Sequence, residues 1–63
     1  NMSKYVRYYN DRQDACRTLA TQYMNWLESE NMEPAELPEV VGFFTKVAKR
    51  FGLLREFRRR GVI

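Results

Sequence analysis

The run Phe43–Arg60, FFTKVAKRFGLLREFRRR, holds seven of the chain's eleven basic residues, and they alternate with large apolar side chains. Arg55, Arg58 and Arg59 stand three and four apart, the spacing that brings side chains to one face of a helix. A guanidinium carries paired N–H donors that match phosphate oxygens better than an ammonium does. The chemistry open to such a face is capture of a polyanion, with an affinity that falls as salt rises. Lys46, Lys49, Arg50 and Arg60 complete the candidate nucleic-acid-binding set. Net charge is +3, but residues 1–33 hold four basic and five acidic side chains, while residues 34–63 hold seven basic and three acidic. That asymmetry points an acidic partner, either nucleic acid or an acidic protein surface, at the second half.

Other chemistries find little support. The chain has no histidine, so the usual general base near neutral pH is missing. The one cysteine, Cys16, has no imidazole to activate it and no second thiol to pair with, and its apolar neighbours in helical spacing make it a core filler. Glu28, Glu30 and Glu33 lack the ordered ligand spacing of a calcium loop and read as solvated. None of the three glycines stands in a phosphate-cradling pattern. The sequence is therefore read as non-enzymatic, with no cofactor and no metal.

These residues must be positioned by one small domain, because 63 residues leave room for no more. Apolar residues are 44% of the chain and aromatics 14%, too many for a disordered segment. An all-α, three-helix domain over residues 1–63 is expected. A long amphipathic helix spans about 11–30, with Cys16, Leu19, Ala20, Tyr23 and Leu27 within about 60° of one another on a helical wheel. Asn10 or Asp11 is its candidate cap. Residues 1–10 form an N-terminal arm or an extension of that helix, with the extension preferred. Pro34 and Pro38 mark a loop. A second helix over about 38–51 begins with Pro38 and closes at Gly52. Its buried stripe is Val40, Val41, Phe44, Val47, Ala48 and Phe51. Were it to continue, Leu53, Phe57 and Leu54 would lie about 180°, 220° and 280° from Phe44, so a turn at Gly52 and a short third helix over about 53–60 are required. Gly61 ends that helix, and Val62-Ile63 fold back onto the core.

Lys46–Ile63 shares an apolar, small, turn, apolar order with the helix-turn-helix. Phe57 comes one residue early for that motif, Arg58 stands in the apolar place, and the third helix is short, so no family follows. The surplus of aromatics over what so small a core encloses marks Tyr5, Tyr8, Tyr9, Trp26 and Phe43 as a partner interface, with a homodimer expected. The functional expectation is a small regulatory module binding nucleic acid, DNA more than RNA, through the basic C-terminal face. The alternative is a regulator that binds a protein, such as a phage or plasmid product acting on a host protein, with no nucleic-acid contact. A lone thiol, a polar N-terminus without an apolar leader, and the lack of any long apolar run suggest a cytoplasmic protein with no membrane association.

Overall fold

The computed structural model describes residues 3–63; Asn1 and Met2, the first two positions of the expected arm or extension, lie outside the described residues. Three helices follow in order, α1 Lys4–Ser29, α2 Pro38–Phe51 and α3 Leu54–Arg60, with a 3-10 turn at Pro34–Glu36 ahead of α2. The all-α architecture expected from the periodicity is the one observed. Among the described residues there is no strand, and no helix is long and apolar enough to cross a membrane.

α1 takes the preferred backward extension and starts at Lys4, not at about residue 11. Asn10 and Asp11 do not cap the helix but lie inside it, and Ser3 is the cap, its Oγ accepting from the Val6 N–H at 3.2 Å. Tyr5, Tyr8 and Tyr9 are poor helix formers. Here packing overrides propensity: Tyr9 meets Phe51 edge-on at 5.7 Å, and Tyr5 stacks one turn behind it on Tyr9 at 6.5 Å.

All three helices close alike. A residue in the left-handed region, Asn31, Gly52 or Gly61, is followed by an apolar residue whose N–H reaches back five positions. Met32 donates to the Leu27 carbonyl at 2.9 Å, Leu53 to Ala48 at 2.8 Å and Val62 to Phe57 at 2.9 Å. This closure satisfies a terminal carbonyl and tucks the apolar residue under the last turn. Leu53 and Val62 are accordingly buried. The turn at Gly52 is thus what returns Leu53 and Phe57 to the interior, as their phase on α2 requires.

The core comprises Ala20 and Leu27 from α1, Phe44, Ala48 and Phe51 from α2, and Leu53, Phe57 and Val62 from the α3 unit. Phe44 is its hub, with Tyr23 at 5.1 Å and Phe57 at 5.9 Å between ring centroids. Cys16, Tyr23 and Met24 pack half-buried at its margin. Leu19, expected in the core, is 44% exposed; the buried face centres on Ala20 and leaves Leu19 about 100° away. The molecule is elongated, 45 × 18 × 18 Å, with a radius of gyration of 12.8 Å. A compact chain of this length would have a radius of about 10.6 Å. The excess belongs to α1, whose 26 residues outrun the α2–α3 unit packed against it.

Two predictions follow from the turns and the core. Gly52 has φ +70°, and a Cβ there would lie 2.7 Å from the Tyr9 hydroxyl, whereas Gly61, φ +77°, has open space around it. Gly61→Ala is expected to cost about 1–2 kcal/mol through backbone strain alone. Gly52→Ala is expected to cost about 2–4 kcal/mol, and the difference should shrink in a Tyr9→Phe background; urea unfolding followed by circular dichroism checks this. The Tyr23 hydroxyl is buried without a hydrogen-bond partner. Tyr23→Phe is therefore expected to leave stability unchanged or raise it by about 1 kcal/mol, since an unpaired buried hydroxyl is itself a penalty.

Candidate nucleic-acid interface

Four residues of α1, one turn apart, hold the α2–α3 unit. The Tyr9 hydroxyl lies against Gly52 and its ring against Phe51. Gln13 Nε2 donates to the Phe51 carbonyl at 2.7 Å, satisfying an acceptor at the C-terminal end of α2. Arg17 Nε donates to both Glu56 carboxylate oxygens at 3.2 and 2.9 Å, while its NH1 pairs with Asp14 at 3.0 Å. The Thr21 hydroxyl accepts from the Arg60 NH2 at 2.8 Å. Seven residues are too few for a helix that stands alone; burial of Phe57 and these contacts hold α3 in place.

The contacts decide which way the arginines face. Phe57 points inward, and Glu56 and Arg60, four apart, form the flank that meets α1. Arg55, Arg58 and Arg59 fall on the remaining arc and are exposed. Lys46, Lys49 and Arg50 are exposed on the outer arc of α2, Lys46 opposite the buried Phe44 and Arg50 bent over its neighbour Phe51 at 5.3 Å from the ring centroid. The structure thus gathers Arg55, Arg58 and Arg59 on one helix face and places the α2 cations on a second surface across the Gly52 turn. Arg60 is turned toward α1. Among the described residues both ion pairs belong to Arg17, so none of the seven basic residues is tied to a carboxylate.

Glu56, the one carboxylate within the basic run, is held by Arg17. Its carboxyl is pushed below the usual range, first by the Arg17 hydrogen bond and then by the charges of Arg17, Arg60 and Arg59. Arg17 is raised in turn, chiefly by the Glu56 bond. Sequence reasoning left out Gln13, Arg17 and Thr21; their signal was a polar row at fourth positions beside the apolar stripe of α1.

Of the expected interface residues, Tyr5, Tyr8, Trp26 and Phe43 are exposed, by 47–72%. Tyr9 is not free: it packs on Phe51 and against the core. Phe43 also meets the core hub Phe44, edge-on at 5.2 Å. A cleft of about 310 Å³ at the end of α1, lined by Leu27, Glu28, Met32, Glu33 and neighbours, carries two carboxylates but no converging set of ligand side chains. Among the described residues no group of three or more cysteine or carboxylate side chains could hold a metal ion. Comparison with protein-family models, curated proteins and solved structures found no match to this chain.

The depressed Glu56 carboxyl makes stability depend on pH. The ionised form is favoured in the folded state, so its contribution is full above the unfolded carboxyl's range, about pH 4.3, and is lost as pH falls through the lower folded value. In Glu56→Gln this part of the acid-side loss should vanish from thermal-melt profiles measured between neutral and acid pH. Arg17→Ala should cost about 1 kcal/mol at neutral pH, a modest figure because both side chains keep solvent contact.

Proposed function

We propose that the protein is a non-catalytic regulatory module that binds nucleic acid through α3, as a homodimer. The observation that carries this reading is the face of Arg55, Arg58 and Arg59, exposed and free of carboxylates on a helix anchored by its other sides. A simpler role exists for the same cations, since Arg58, Arg59 and Arg60 occupy the last turn of α3, where positive charge complements the helix dipole. That role also covers Lys49 and Arg50 in the last turn of α2, but it needs only one or two charges per helix and accounts for neither Arg55 nor Lys46.

The surroundings favour duplex over single strands. Single-strand binders stack bases on exposed aromatics; the aromatic of α3, Phe57, is wholly buried, and the exposed Phe43 belongs to α2. They also favour DNA over duplex RNA. An α-helix, about 10–12 Å across with its side chains, fits a B-form major groove about 12 Å wide, whereas the A-form major groove is closed to side chains. A helix as short as α3 reaches phosphates more than base edges, and binding should depend weakly on sequence.

Fluorescence anisotropy with duplex DNA, duplex RNA and single strands tests the proposal. Replacing Arg55, Arg58 and Arg59 together with alanine should weaken binding to every DNA sequence and lower the log–log salt slope by about 2–3, with helical circular dichroism preserved. Absence of binding at low salt, or affinity indifferent to salt, would exclude it. The second reading, a regulator that acts on a protein, is favoured by the exposed Tyr5, Tyr8, Trp26 and Phe43. A single stoichiometric partner whose capture survives nuclease treatment would support it.

A further inference from the structure

α1 carries two stripes and the fold uses one. With Ala20 at zero on the wheel, the core-facing residues Tyr9, Cys16, Met24 and Leu27 fall within about 40°, and Arg17 and Thr21, which hold α3, lie about 60° and 100° to one side. On the other side, about 60–160° round, stand Tyr5, Tyr8, Arg12, Ala15, Leu19, Gln22 and Trp26. Their spacing alternates three and four without interruption over the length of the helix, the 3.5-residue repeat of a seam between two helices. Every one of them is exposed; Tyr5, Tyr8, Leu19 and Trp26 keep 72, 50, 44 and 47% of their surface. A solvated helix face does not require aromatic and aliphatic residues at this repeat.

We propose that this stripe is the interface between two copies of the chain, packed antiparallel through α1. The inference deepens the homodimer part of the functional reading and is independent of what the basic face binds. The repeat is that of a helix packing on another helix, and it is Arg12 that fixes the orientation. A parallel, in-register pair would set Arg12 against Arg12 in the middle of the seam, two like charges pressed together out of water. An antiparallel pair centred between Ala15 and Leu19 sets each Leu19 against Ala15 of the second copy, large against small. The same register places Arg12 opposite Gln22 and Tyr8 opposite Trp26. The Arg12 guanidinium already lies 5.9 Å from the centre of the Tyr8 ring, and this register brings the second copy's Trp26 into the adjacent layer, where a cation is attracted to the ring face.

The area is sufficient. At about 150–250 Å² per ring, the exposed parts of Tyr5, Tyr8 and Trp26 amount to roughly 300–400 Å² per copy. With Leu19, Arg12 and Gln22 added, two copies approach the ~1,200 Å² at which specific interfaces begin. The monomer's accessible surface, 4864 Å², exceeds the roughly 4,300 Å² of a compact chain of this mass. α3 is held on the flank of α1 away from the seam, so the dimer keeps both arginine faces open.

Sedimentation equilibrium of the full chain, wild type and Leu19→Glu, tests the interface. The wild type should sediment as a dimer at tens of micromolar, and Leu19→Glu at half that mass with the same helical circular dichroism. A wild-type monomer, a trimer or larger species, or a Leu19→Glu dimer would overturn the proposal. Orientation is read by oxidising an equimolar mixture of two Cys16→Ser chains, one with Ala15→Cys and the other with Leu19→Cys. A mixed disulfide dominating over both like-with-like products is the antiparallel result, and predominant like-with-like products would overturn it. Duplex binding measured on the same samples separates the two readings. A monomeric wild type that still binds duplex loses the seam and keeps the basic face, and a dimer that ignores duplex does the reverse.

Discussion

The structure depends on the row of α1 side chains at Tyr9, Gln13, Arg17 and Thr21. Each meets the α2–α3 unit at a different point: the turn, the end of α2, the middle of α3 and its last residue. The apolar layer beside them supplies most of the stabilisation, because Phe44, Phe57, Leu27, Leu53 and Val62 are removed from water almost completely. That layer places α3 through Leu53, Phe57 and Val62, and apolar contact by itself leaves some freedom to roll about the helix axis. The Arg17–Glu56 and Thr21–Arg60 contacts, four residues apart on both helices, remove that freedom. The direction in which Arg55, Arg58 and Arg59 face is therefore decided on α1.

The same arrangement explains how so small a chain forms a core without an internal disulfide. Three helices terminate by one device, a left-handed residue and a returning apolar neighbour, and at the ends of α2 and α3 that neighbour, Leu53 or Val62, is a core side chain. Ala20 and Ala48, both fully buried, are the small residues on the two helix faces that meet, and the bulk comes from the aromatic rings around them.

Much of this was legible in the sequence. The apolar phase over Val40–Phe51, Pro38 at the first helical position and the break at Gly52 are local signals, and the observed α2 and α3 follow them within a residue. The start of α1 was less legible: Asn10-Asp11 is a better local cap than Ser3, the preferred backward extension is the one observed, and the contact of Tyr9 with Phe51, 42 residues on, holds it. Leu19 was misplaced for a geometric reason. A wheel centred on Cys16 takes it into the core, and the buried face is centred on Ala20, about 40° round. The polar contacts of Gln13, Arg17 and Thr21 span 38 or 39 residues, and no local pattern names their partners. The basic residues were visible as a cluster; which of them α1 would claim was not, and Arg60 is the one it turned aside.

The bond from Gln13 to the Phe51 carbonyl has a consequence for recognition. It ties the last turn of α2, at the bend before α3, to α1 through a part-buried contact. A surface built on such a brace is rigid before anything approaches it. A partner would lose little to ordering such a surface, because its shape and charge are set in advance.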